Sequence, residues 1–256
     1  IAFADRRVIL TLSGRYDKWS NFDGEFTPRA TLNVDLYEKK ANLRLMAGTS
    51  FRRPSFDESY YFVRFPGGWL KGSQVSATTE NGNAIGGVAP GPEKLTAYEV
   101  GLRLHPDERT YIDVETFRNT IKSNLGLVVL HATANELNLA ITNIGDRITL
   151  SGAEIEVKHD FSPDAKAFLN YTYQRGTIKG NSNIKETWLG APRNKLSGGV
   201  SYSGTVTADV RFRYVGKVTY PEIDFDPVDD YWTLDVALSK QVGEHVHVKL
   251  SVINAL

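Results

Sequence analysis

Along most of this sequence apolar and polar residues alternate in short stretches, and the connections between those stretches are by turns long and short. Val8, Leu10, Leu12, Gly14 and Tyr16 fall on one side of the first stretch, and Ile9, Thr11, Ser13, Arg15 and Asp17 on the other. A period of two puts successive side chains on opposite faces of a β-strand. The pattern returns at 29–37, 41–47, 98–104, 153–158, 167–174, 195–202, 208–214, 232–239 and 246–252. Residues 111–119 make an eleventh strand whose alternation is too irregular to assign faces. No helical period of useful length occurs. Short turns are expected at 38–40, 105–109, 161–164, 203–204 and 242–244, and long loops at 19–26, about 50–94, about 123–146, 176–193 and 218–230.

A soluble sandwich has no reason to place every long loop at one end. A membrane-spanning up-and-down antiparallel β-barrel does, with short turns on one side, long loops on the other and strands of roughly ten residues. The charged residues fit the same architecture. Arg15, Arg44, Glu99, Arg103, Glu154, Glu156, Arg211 and Arg213 lie on the polar faces, which suits a wet or plugged lumen with the apolar faces toward lipid. Their signs are mixed, so they are expected to pair with one another and with a plug. Aromatic residues gather at the strand ends. Tyr16, Trp19, Tyr98, Tyr173, Tyr214, Tyr231 and Trp232 lie near the long loops, and Tyr37, Tyr111, Phe161 and Tyr202 near the short turns, as two interfacial girdles would. Eleven is an odd number of strands, whereas a bacterial single-chain barrel has an even one. Open sheet edges are not tolerated in hydrocarbon. The expectation is therefore an incomplete set of strands, with more before Ile1 and at least one after Leu256.

Composition narrows the function. The net charge is zero, which gives no support to nucleic-acid binding. There is no cysteine, so disulfides and thiolate metal sites are excluded. The histidines His105, His131, His159, His245 and His247 show no ligand spacing, and no metal or cofactor is expected. No nucleophile elbow or phosphate loop is present, and the chain is not expected to be an enzyme.

Four segments carry a family resemblance. Gly48-Thr49-Ser50-Phe51-Arg52-Arg53-Pro54-Ser55-Phe56-Asp57-Glu58 resembles the strand-to-loop junction of TonB-dependent outer-membrane receptors, in which Phe51, Arg52, Pro54 and Glu58 match the motif and Ser59 stands where Leu is usual. Pro92-Glu93-Lys94-Leu95-Thr96-Ala97-Tyr98-Glu99-Val100-Gly101 is similar to that family's return into the next strand, through Pro92, Glu93, Glu99 and Gly101. Asn143-Ile144-Gly145-Asp146-Arg147 followed by Ser151-Gly152-Ala153-Glu154 resembles a third family segment. Val252-Ile253-Asn254-Ala255-Leu256 resembles the signature before the last strand, with Ala255 in place of Leu. Each motif is weak alone, and their order along nearly the whole chain makes them specific.

The resemblance implies a barrel of about 22 strands closed by an N-terminal plug domain. Residues 1–256 would be the C-terminal half of its barrel, in the outer membrane of a Gram-negative bacterium, against lipid and lipopolysaccharide. It implies active uptake of a scarce chelate (a ferric siderophore, haem or a cobalamin-type compound), energised by the TonB complex acting on the plug. The alternative is a passive porin or a surface-binding barrel without transport. The ligand would meet the extracellular loops, where Tyr60, Tyr61, Arg64 and Trp69 in the longest loop combine aromatic rings with a cation, a set suited to an anionic chelate. Arg175, Trp188 and Tyr220 are the corresponding candidates in other loops, followed by Arg118 and Asp224.

Overall fold

The computed structural model describes residues 2–3, 7–19, 22–37, 40–79, 81–144, 147–179, 191–218 and 226–256. Twelve strands form one antiparallel sheet in which nearly every strand pairs with its neighbours in sequence. They are β1 (Ala2–Phe3), β2 (Val8–Trp19), β3 (Phe22–Leu36), β4 (Ala41–Arg52), β9 (Glu93–Leu104), β10 (Thr110–Lys122), β13 (Arg147–Asp160), β14 (Ala165–Lys179), β15 (Asn194–Ser203), β16 (Thr207–Val215), β17 (Tyr231–Val242) and β18 (Val246–Val252). Among the described residues the sheet is open, with β1 and β18 at its edges. The remaining elements lie in two connections. Between β4 and β9 come α1 (Phe56–Tyr60), β5 (Phe62–Phe65), β6 (Gly68–Lys71), β7 (Ala77–Thr78) and β8 (Ala84–Ile85); between β10 and β13 come β11 (Leu125–Ala132) and β12 (Leu137–Asn143).

All eleven expected strands are present, but several boundaries differ. Residues 22–26 are not loop: Phe22 to Glu25 pair with Trp19 to Asp17 across a bulge, so the first connection at the long-loop end is a tight hairpin. Asp23 and Gly24, which suggested a loop, lie within β3. Likewise β14 runs on to Lys179, past the expected start of a loop at 176. The connection at 123–146 is a hairpin rather than an open loop.

Register makes the two faces explicit. One face carries the rows Leu169–Gly198–Phe212–Leu234 and Tyr171–Leu196–Tyr214–Trp232, each aligned across four strands. Leu169, Tyr171, Val200, Val210, Tyr202 and Trp232 on this face are all exposed. The opposite face carries the row Asn42–Arg103–Asp113–Glu156–Asn170–Ser197–Arg213. Here Asp113, on the strand whose faces the sequence left unassigned, accepts two hydrogen bonds from Arg44, at 3.1 and 2.8 Å, and two from Arg103, at 3.1 and 3.0 Å. Tyr111 Oη donates to the same carboxylate at 2.8 Å, which places Tyr111 on the charged face and removes it from the outer aromatic girdle. Gly101 lies beside Arg44, and a Cβ there would come within 2.7 Å of the guanidinium.

Toward the long-loop end the faces exchange character. On the side that was charged lower down, Leu95–Ile121–Ile148–Ile178 form an apolar row that Ser50 flanks on β4, with Ile148 and Ile178 buried. On the side that was apolar, the rows become Tyr98–Arg118–Ser151–Arg175, then Thr96–Thr120–Thr149–Thr177, then Lys94–Lys122–Arg147–Lys179.

Candidate functional site

The long connections fold into a cap above the sheet. β12 pairs with β6 in parallel, joining two loops far apart in sequence into a four-stranded sheet ordered β11-β12-β6-β5. Pro66-Gly67 turns β5 into β6, with Gly67 at φ 78°, the left-handed position that a type II turn gives to glycine. A side chain at Gly68 would strike the Leu137 carbonyl, so close approach of the two loops requires glycine there.

At the base of the cap, Arg52 gathers the family-motif residues. Its guanidinium bonds both oxygens of Glu58, at 2.9 and 3.0 Å, and Glu93 Oε2 at 2.5 Å. Glu93 Oε1 accepts from the Leu125 amide at 2.7 Å, so one cluster ties β4, α1, β9 and β11 together. Glu58 also completes a capping box with Ser55, fixing the start of α1. The Arg52 guanidinium holds the Glu58 carboxyl below the usual carboxylate range. Pro54 is buried at this base. Phe51 meets Trp19 edge to face at 5.3 Å, and Arg53 lies 4.6 Å above the same indole.

Sequence reasoning missed two residues that shape the cap. Asn143 donates to the carbonyls of Gly91 at 3.0 Å and Ser123 at 2.6 Å, and accepts from the Gly91 amide at 2.7 Å, clamping the ends of both loops. Its place in the third family segment was its only signal. Lys71 is 2% exposed, and its ammonium donates to the carbonyls of Val75 at 2.6 Å and Gly86 at 2.8 Å. Burial pushes its pKa down. A lysine in a polar loop reads as solvated, so nothing in the sequence marked it.

The expected ligand residues are distributed unevenly. Tyr60 is partly exposed on α1, its ring tilted against Phe56 with centroids 5.0 Å apart and its hydroxyl donating to Gln74 at 3.1 Å. Tyr61 and Arg64 are exposed on the cap. Trp69 is 3% exposed, its Nε1 donating to the Thr78 carbonyl at 3.2 Å, so it is the core of the cap rather than part of its surface. Arg175 lies on β14 beside Ser151, in one row with Arg118, on the sheet rather than in a loop. Trp188, Tyr220 and Asp224 lie outside the described residues. No cluster of three or more histidine or acidic side chains that could hold a metal ion occurs among the described residues. His131 Nε2 stands 3.5 Å from the buried Glu136.

A one-layer antiparallel sheet with a folded cap is joined by a match in sequence: the family model described as TonB dependent receptor-like, beta-barrel, covers residues 1–255. The chain belongs to this family. Comparison with curated proteins gave no match. Among solved structures, the chain is similar to a mutant of the ferric enterobactin receptor PfeA from Pseudomonas aeruginosa in complex with enterobactin, with a TM-score of 0.74 and 14% identity over 97% of this chain and 38% of that one. It is similar to the siderophore receptor PirA from Acinetobacter baumannii, with a TM-score of 0.72 and 14% identity over 97% of this chain and 39% of that one. It is also similar to the copper transporter OprC, with a TM-score of 0.63 and 17% identity over 91% of this chain and 34% of that one. At these identities the likeness is one of fold, and the chain spans well under half the length of each.

Proposed function

We propose that this chain is the C-terminal half of the barrel of a Gram-negative outer-membrane receptor that takes up a scarce metal chelate. A ferric siderophore, haem or a cobalamin-type compound fits this reading. The observation that carries it is the two-faced sheet. Rows such as Tyr171–Leu196–Tyr214–Trp232 expose apolar and aromatic side chains on a scale that a water-facing surface does not keep, and that lipid requires. The charged face opposite suits a lumen filled by a plug domain, on which the TonB complex would act. The cap, spanning the long connection at about 50–94 and the hairpin after β10, is extracellular in this arrangement. Tyr60, Tyr61 and Arg64 are its ligand-facing candidates, and Trp69 supports them from beneath. The role is transport rather than catalysis.

Uptake and binding of a panel of ferric chelates by cells carrying the intact receptor test this reading. Uptake of one chelate that stops when the TonB complex is disabled, together with weaker binding of that chelate after Tyr60→Ala and Arg64→Ala, is the expected result. Diffusive uptake that ignores TonB would favour a passive porin. Binding without uptake would favour a surface receptor.

A further inference from the structure

At the tip of the β11–β12 hairpin three polar side chains converge inside the cap. His131 stands directly across the two strands from Asn138, so both leave the same face, which they share with the buried Trp69 and Ala140. Glu136 precedes Asn138 by two residues and joins them. Asn138 is fully buried, and the Glu136 side chain is 3% exposed. Asn138 Nδ2 donates to Glu136 Oε1 at 2.5 Å, while Glu136 Oε2 faces His131 Nε2 at 3.5 Å. That Nε2 is buried and has no hydrogen-bond partner, and Asn138 Oδ1 is in the same position. A buried carboxylate beside two orphaned acceptors calls for positive charge among them. The spacing says of which kind. A charge-assisted hydrogen bond from the imidazole would be about 2.7–2.9 Å long. Two ligands each about 2.1 Å from one tetrahedral ion lie about 3.4 Å apart, which matches the 3.5 Å between Nε2 and Oε2.

We propose that His131, Glu136 and Asn138 hold a divalent ion of the zinc class that fastens the tip of the cap. His131 supplies Nε2, Glu136 Oε2 and Asn138 Oδ1, while the Asn138 amide nitrogen orients the carboxylate. An imidazole ligand favours Zn2+ over Ca2+ and Mg2+, which take oxygen ligands. The partly exposed side of His131 is the entry path and leaves a fourth position to water. The third ligand is an amide and the histidine comes from across a strand pair, so no sequence spacing announces the site. The ion acts through the fold. Leu137, between two of the ligands, donates its amide to the Gly67 carbonyl at 2.7 Å, where the hairpin meets the β5–β6 turn. Binding therefore stiffens the junction of the two loops, and with it the sheet that carries Arg64. This is a resident ion rather than cargo, and the inference does not depend on which chelate the receptor carries.

The test strips the intact receptor in detergent with a chelator, dialyses it against Zn2+, and reads bound metal by elemental mass spectrometry and the cap by hydrogen exchange. The expected result is one bound equivalent that His131→Ala lacks, with slower exchange at 67–68 and 131–138 on binding and no change in β13 and β14. His131 is partly exposed, so its replacement leaves the cap folded. Asn138→Ala should weaken binding about tenfold to a hundredfold. If that variant unfolds the cap, Glu136→Gln takes its place, since it keeps the shape of the side chain and removes its charge, and a loss of the same order is expected. An excess of Mg2+ or Ca2+ should not displace the ion. Binding that His131→Ala leaves intact, or displacement by Ca2+, overturns the proposal. So does the absence of any bound equivalent, which would leave His131 as an imidazolium paired with Glu136. A receptor that binds the ion yet takes up no chelate refutes the transport reading alone.

Discussion

The wall and the cap are both made of β-strands, yet they bury opposite things. In the wall, one layer of strands leaves its apolar rows exposed and pairs its charges on the other face, around Asp113. In the cap, Trp69, Ala77 and Ala140 are buried, as are the polar Lys71, Ser73 and Asn138. The cap therefore folds by burying apolar groups away from water, whereas the exposed apolar rows of the wall call for lipid in the proposed arrangement. The exchange of faces at Ile148 and Arg147 marks where one regime gives way to the other along the same strand.

Trp69→Ala is expected to break this contrast most. It should cost the cap about 3–5 kcal/mol of local stability and leave the wall intact. Hydrogen exchange in β5, β6, β11 and β12 should rise together while exchange in β13 and β14 stays slow, and uniform loosening of both regions would contradict the division. Next comes Val157→Arg on the apolar face of the wall, expected to cost about 2–4 kcal/mol in a bilayer, against little for Thr172→Arg on the opposite face. Equal costs, measured by unfolding in liposomes, would remove the distinction between faces. Asn143→Ala should cost the cap about 1–3 kcal/mol by leaving the Gly91 amide and carbonyl unpaired, seen as protease cleavage near 88–92. The smallest effect is acid sensitivity. Glu58 is held below its unfolded pKa by Arg52, so its contribution is fully present at neutral pH and is lost as pH falls through the lowered value. Exchange at α1 should accelerate only in that acidic window, and Arg52→Gln should weaken the dependence to what the Ser55 capping bonds sustain.

The eleven long strands were legible because alternation is a property of local sequence, whereas the two-residue β1, which makes the sheet twelve-stranded, is too short to alternate. Which face of β10 was charged was not legible, because Thr116 and Phe117 depart from the alternation that Ile112, Asp113, Val114 and Glu115 keep. The motif residues Arg52, Glu58 and Glu93 could be singled out, but that they meet at one guanidinium depends on strand register that no short segment encodes. The apolar run from Leu125 to Leu130 pointed to no partner, because its hairpin docks on β6 through backbone hydrogen bonds, which are silent about side chains. Trp69 and Arg64 look alike in a sequence, as cap residues of the same loop. Only the fold buries one and exposes the other.

The parallel pairing of β12 with β6 also dictates a sequence of events. Gly68 and Leu137 can meet only after β4 has found β9 and β10 has found β13, since those pairs bring the two loops' ends together. Closing so long a span of chain beforehand would forfeit entropy with no contacts to offset it. The cap is thus expected to assemble last. During biogenesis its strand edges stay open until the wall beneath them is in place, which makes that interval the one in which a chaperone has most to protect.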